Sequence, residues 1–138
     1  MSEADIEGGC NCGAVRYRLA GAPLAVAVCH CANCRRQSGS AFSVNVVVRA
    51  DAMMLSGELT SWEDRDTESG SPVIREFCAT CGSPIRSLSL ASPKLAIVKA
   101  GTADEPGKFV PEIHVWTSSA LPWVDIPAGL PQFPSNPQ

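Results

Sequence analysis

The sequence predicts a mainly β domain of short strands with one short helix, and three observations carry that prediction. Apolar and polar residues alternate with a period of two in several short segments, as where Val15, Tyr17 and Leu19 alternate with Arg16 and Arg18, the pattern of a half-buried strand. Turn-forming pieces such as Gly21-Ala22-Pro23 and Ser92-Pro93 separate these segments. Cysteines stand in close groups more than sixty residues apart, so distant strands have to meet.

Taken in order, Gly8 and Gly9 permit the tight backbone that brings Cys10 and Cys12 round one point, and Gly13 repeats that permission beyond them. Residues 15–19 form the first strand. Residues 24–28 read as a second one, which delivers Cys29-His30-Cys31. Residues 35–38 suit a helical turn or two, closed by Gly39, a residue type that readily takes the left-handed conformation ending helices. Residues 43–49 place Val44, Val46 and Val48 on one face and Asn45 and Val47 on the other, a strand by period and by β-branched content. A further strand spans 58–63, and the polar stretch 64–72 is an expected exposed loop. Residues 73–77 lead into Cys78, and Gly82 is where a positive φ is most needed to turn the chain past Cys81. Segments 85–90, 95–99 and 110–116 bring the count to seven or eight strands. The stretch from about 120 to 138 carries Pro122, Pro127, Pro131, Pro134 and Pro137, too much proline for a helix or central strand, and should lie along the surface.

At 138 residues, the whole of 1–138 fits one domain that buries roughly two thirds of its unfolded surface. The start, Met1-Ser2-Glu3-Ala4-Asp5, lacks the basic and apolar regions of a secretory leader. The longest apolar stretches, 24–29 and 44–48, fall far below the roughly 20 residues of a membrane span. A soluble, cytoplasmic protein without a membrane partner is the expectation. Net charge is −3, and the eleven basic residues form no run, which argues against a nucleic-acid partner.

The seven cysteines divide as four plus three. Cys10, Cys12, Cys78 and Cys81 supply four thiols in two close pairs, the makeup of a tetrahedral structural zinc site. An odd total cannot pair fully as intramolecular disulfides, and a Cys-x-Cys bridge is strained. Cys29, Cys31 and Cys34 form the second group: residues two apart share a strand face and residues three apart neighbour each other on a helix, so all three can face one point. Three soft ligands without an adjacent fourth suggest a zinc ion with one position open to water or substrate. The alternative is a closed site completed from elsewhere, by His114 or an acidic side chain.

Two zinc ions per chain would contribute much of the folding free energy, on the order of 10 kcal/mol where the unfolded chain has no preformed site. Arg35 and Arg36 follow Cys34 directly and can offset thiolate charge or pair with a substrate carboxylate; they also suit a solvated helix face. His30, between two ligands, should point away from them into a hydrogen-bonded role. Trp62, Trp116 and Trp123 read first as packing residues. Ser40 has no His/Asp pair indicated by spacing, and no general base is tied to the second site.

Three blocks, Gly8-Gly9-Cys10-x-Cys12-Gly13-Ala14-Val15-Arg16-Tyr17, Cys29-His30-Cys31-x-x-Cys34-Arg35 with Gly39-Ser40, and Phe77-Cys78-x-x-Cys81-Gly82-Ser83-Pro84, resemble the glutathione-dependent formaldehyde-activating enzyme / centromere protein V family. His114-Val115-Trp116, Pro122-Trp123 and Leu130-Pro131-Gln132-Phe133 resemble its C-terminal end. The resemblance implies a β-tent fold of two packed antiparallel sheets, a structural zinc on Cys10, Cys12, Cys78 and Cys81, and a second zinc on Cys29, Cys31 and Cys34. It also implies a carbon-sulfur lyase type of activity, in which glutathione and formaldehyde combine to S-(hydroxymethyl)glutathione, with Arg35 as an anchor for an anionic group. The competing expectation is a zinc-stabilised module that binds a thiol ligand or a protein without turnover.

Overall fold

Ten short strands and a single α-helix build the described part of the chain, residues 5–136 of a computed structural model. In chain order they are β1 (Ile6–Gly9), β2 (Arg16–Leu19), β3 (Ala25–Cys29), α1 (Ala32–Ser38), β4 (Ser43–Arg49), β5 (Met53–Ser56), β6 (Leu59–Asp64), β7 (Val73–Cys78), β8 (Pro84–Ser89), β9 (Leu95–Lys99) and β10 (Ile113–Val115). β1, β2 and β5 form a three-stranded antiparallel sheet. The other seven form a sheet in the order β10-β3-β4-β9-β8-β7-β6. The two-sheet, mainly β architecture with one helix is thus the one expected. Its departure is β10, which runs parallel to β3, pairing Ile113 with Ala27 and Val115 with Cys29.

Two strands escape the alternation pattern. β5 holds Met53, Met54 and Leu55 with no alternation to reveal it, and β1 ends in Gly8-Gly9. The two glycines stand there because a side chain would not fit. A Cβ on Gly8 would collide with the Tyr17 hydroxyl and the Thr102 carbonyl oxygen, and one on Gly9 with the Val15 carbonyl oxygen. Close approach, rather than the turn expected of them, is their role.

Val15, just before β2, and Tyr17 and Leu19 on it pack against Val46, Val48, Ile85, Ala96 and Val98 of the large sheet, and this is the core. Cys10 and Cys78 lie within the same cluster. The quartet of cysteines therefore sits where the two sheets join.

The opposite face of the large sheet mixes polar and apolar side chains and carries the site. Asn45 and Val47 on β4, Ile97 on β9, Ser87 on β8 and Arg75 on β7 point to it, lining a cavity of about 520 Å³. The sheet curls so that its two ends approach across this cavity: Asn33 on α1, which follows β3, reaches Asp64 at the end of β6. The expected exposed loop at 64–72 accordingly starts one residue later, because Asp64 is buried.

The proline-bearing tail runs along the surface beside β10. His114 N–H donates to Pro131 O and Phe133 N–H to His114 O, which protects the sheet edge in the way prolines allow. Residues 1–4, 137 and 138, parts of the acidic start and of the tail, lie outside the described residues.

Candidate metal centres and the cavity beside them

Cys10 leaves β1, Cys12 stands in the turn before β2, Cys78 ends β7 and Cys81 lies in the turn before β8. Gly82, at φ +79°, turns that second knuckle as expected, with its N–H donating to Cys78 O at 3.0 Å. The four sulfurs lie within 4.8 Å of one another; Cys10 to Cys12 is 3.6 Å and Cys12 to Cys78 is 3.7 Å. Sulfurs at about 2.3 Å from a central ion in a tetrahedron are about 3.8 Å apart, so this set matches a tetrahedral thiolate site. All seven thiols are free of disulfides. Backbone N–H groups of Val15 and Thr80 donate to Cys10 Sγ and Cys78 Sγ at 3.2 and 3.3 Å; at Cys10 desolvation is outweighed by the Val15 bond and the Cys12 and Cys78 sulfurs, which lower the thiol. The Ser83 hydroxyl, together with backbone N–H groups, brings the Cys81 thiol down to about 5.

The second set is built by a strand end and a helix start. Cys29 closes β3, Cys31 is the N-cap of α1 and Cys34 sits in its first turn, with the Cys34 N–H donating to Cys31 Sγ at 3.2 Å. Gly39 ends the helix at φ +66°. All three cysteines are buried, and their sulfurs lie within 4.8 Å of one another. Among the described residues no fourth His, Cys, Asp or Glu atom lies that close to all three. His114, the candidate for closing the site, is instead bonded through Nδ1 to His30 Nε2 at 2.9 Å. His30 is fully buried and turned to that partner, as the alternation of ligand and non-ligand positions implies.

Electrostatics favours negative charge here. Hydrogen bonds from Cys29 and Cys31 bring the Cys34 thiol down to about 2, with Lys99 and Arg75 acting in the same direction, and the same sulfur contacts push Cys29 up.

A belt of buried polar groups runs across the cavity face from the trio and back. Lys99 Nζ donates to Ser43 Oγ at 2.8 Å, and Ser43 Oγ to Asn45 Oδ1 at 2.6 Å; Ser43 is the register partner of Cys29. Burial holds the Lys99 ammonium below its ordinary range while the thiolates oppose that shift. Further along, Arg75 Nη1 donates to Ser87 Oγ at 3.2 Å and its Nη2 to Asp64 Oδ2 at 3.1 Å. Asp64 accepts from Asn33 Nδ2 at 3.0 and 3.1 Å, which returns the belt to the helix of Cys31 and Cys34.

Arg35, expected as an anion anchor, is half-buried, and neither it nor Arg36 lines the cavity. Arg75 does. Glu68 also lines it, accepting from the Ala32 N–H at 3.1 Å and from the Ser119 hydroxyl. Of the tryptophans, Trp116 packs on the trio while Trp62 and Trp123 are exposed, against the expectation that they pack. Trp116 has φ +57°, a left-handed backbone that a bulky residue adopts only when its surroundings hold it there. The tail supplies that hold: Asn136 Oδ1 accepts from the Trp116 indole, and Ser135 O from its N–H. None of Arg75, Lys99 or Asp64 has a local sequence signal, since each acts through residues distant in the chain.

A family model described as glutathione-dependent formaldehyde-activating enzyme matches residues 5–119. The chain belongs to that family. A Halomonas elongata protein that carries the same name provisionally is 31% identical over 126 residues, spanning 88% of this chain and 80% of its own length. A crystal structure of a Rhodobacter sphaeroides protein superposes with a TM-score of 0.55 at 20% identity, covering 92% of this chain and 98% of that one; it speaks for the fold. The family's description names glutathione and formaldehyde, and the chain carries two cysteine clusters each able to hold a metal ion. Among the described residues no helix is long and apolar enough to cross a membrane.

Proposed function

We propose that this chain is a zinc-dependent, carbon-sulfur lyase type of enzyme that joins and separates a thiol, glutathione or a similar one, and an aldehyde. Two zinc ions per chain are its cofactors: a structural one on Cys10, Cys12, Cys78 and Cys81 and a second on Cys29, Cys31 and Cys34. The observation that carries this reading is the trio of buried sulfurs beside a cavity of about 520 Å³, with no fourth protein ligand among the described residues. Such a volume accommodates a small-molecule ligand.

Zinc on the trio, when bound, supplies an open position that favours a thiolate over a thiol and polarises a carbonyl. The residues do the rest. Arg75 lines the cavity and Lys99 lies buried behind Ser43 and Asn45, and their positive charge draws an anionic thiolate or carboxylate. Ser87, Asn45 and Ser89 give the walls hydrogen-bonding groups, and Trp116 packs against the trio. In the forward direction a C–S bond forms between the thiol sulfur and the aldehyde carbon, the carbonyl π pair moves to oxygen, and the proton lost by the thiol is matched by one gained there. Substrate and product therefore balance without an oxidant.

NMR of formaldehyde and glutathione, with and without the protein, tests this reading against the spontaneous background. Faster formation of S-(hydroxymethyl)glutathione supports it. Glutathione binding without acceleration supports a thiol-binding module in its place, a reading favoured by one observation: both histidines are engaged with each other and neither serves the trio as a base.

A further inference from the structure

We infer that Asn33 is a positioning residue for the second metal centre, acting through Asp64 and Arg75, an assignment that rests on the proposed role of the trio. The helix α1 carries Cys34 and is capped by Cys31, so two of the three sulfurs move with it. At seven residues it is too short to be stable by itself. Its N-cap is a sulfur, a weak acceptor, and its own first turn has no acidic residue, so the carboxylate at its N-terminus is that of Glu68, which accepts from the Ala32 N–H. Cys34 is its one buried side chain, so apolar packing does little to fix where it lies. Something else must hold it.

That hold is polar, and it comes from the far edge of the sheet. Asn33 Nδ2 donates to both oxygens of Asp64, at 3.0 and 3.1 Å, and to Asp66 O at 2.9 Å. Asp64 is itself immobilised, because its Oδ2 accepts from Arg75 Nε at 3.2 Å and Nη2 at 3.1 Å, and both side chains are 5% exposed. Arg75 is steadied in turn by Ser87. A buried ion pair thus presents a rigid, charged acceptor to one amide, and charge-assisted bonds of that kind are the strong ones. Ligand orientation by such a partner behind the ligand is what sets affinity at metal sites. Here the partner does not touch a sulfur; it fixes the backbone that places two of them.

The test is site-resolved release of zinc from the purified, reduced, full-length protein to a chromophoric chelator. In Asn33→Ala the trio should yield its ion at a roughly 10- to 100-fold lower chelator concentration than in the wild type, while the quartet is unchanged. Asn33→Gln, which keeps the amide, should fall between the two. Sites are assigned with Cys31→Ser, which removes a trio ligand. Release from Asn33→Ala that matches the wild type overturns the assignment, and so does equal weakening at both sites, which would make Asn33 a support of the whole fold. A wild type that yields a single ion defeats the two-zinc reading itself and is told apart at once.

Discussion

His30 Nε2 and His114 Nδ1 lie 2.9 Å apart in the interior, and these are the two histidines of the chain. Their rings stack with centroids 5.2 Å apart. The contact ties the segment between Cys29 and Cys31 to β10, and so fixes the strand end from which the trio starts.

Burial holds both histidines below their ordinary range, with His114 adding to the shift at His30. The unfolded chain therefore binds more protons than the folded one below about pH 6.5, and this part of the stability, complete above that pH, is lost on acidification. Denaturant midpoints between pH 7.5 and 5.5 should fall more steeply for the wild type than for a His30→Asn/His114→Asn double variant. Each histidine contributes at most about 1.4 kcal/mol per pH unit. Equal slopes would contradict the neutral pair.

Cys81→Ser tests the quartet from its exposed side. Losing an ion worth on the order of 10 kcal/mol removes most or all of a typical domain's 5–15 kcal/mol. The expected variant binds less zinc and lacks a cooperative thermal transition by circular dichroism. A full zinc complement with an unchanged midpoint would show that the fold does not depend on that site.

Lys99→Met removes the buried ammonium beside the trio while keeping the stem's bulk. Glutathione affinity, read by titration calorimetry, should drop tenfold or more, about 1.4 kcal/mol, since an anionic ligand loses its counter-charge. Stability without ligand should change little, because desolvation of the ammonium offsets its hydrogen bonds. Unchanged affinity would remove Lys99 from the site.

Gly8→Ala and Gly13→Ala separate two uses of glycine. Gly8 has no room for a Cβ between Tyr17 and Thr102, whereas Gly13 sits in open space at φ +83°. Overpacking at Gly8 should cost about 1–3 kcal/mol, visible as a lower thermal midpoint, and Gly13→Ala about 1–2 kcal/mol from backbone strain alone. The sheet junction is damaged in the first case only.

What the sequence made legible was local. Cysteine spacing divided the thiols into the two sets that the structure brings together, and the valines of 43–49 announced both faces of β4. What it concealed depends on meetings across the sheet. Asp64 looks like the start of a polar loop until Arg75, eleven residues on, and Asn33, thirty-one residues back, close round it. Arg35 adjoins Cys34 in sequence, whereas Arg75, whose guanidinium lines the cavity, is announced by no local spacing. β1 was hidden because two glycines, poor strand formers, are demanded there by the small space beside Tyr17 at Gly8 and beside the Val15 carbonyl at Gly9.

The central claim is a second zinc ion held by three cysteines and open to a thiol. X-ray absorption at the zinc edge, on protein carrying two ions, tests it most directly. The account predicts a sulfur shell accompanied by a light-atom scatterer, the latter giving way to sulfur when glutathione is added. Four sulfur ligands at both ions before any thiol is present, or a spectrum that glutathione leaves unaltered, would contradict it.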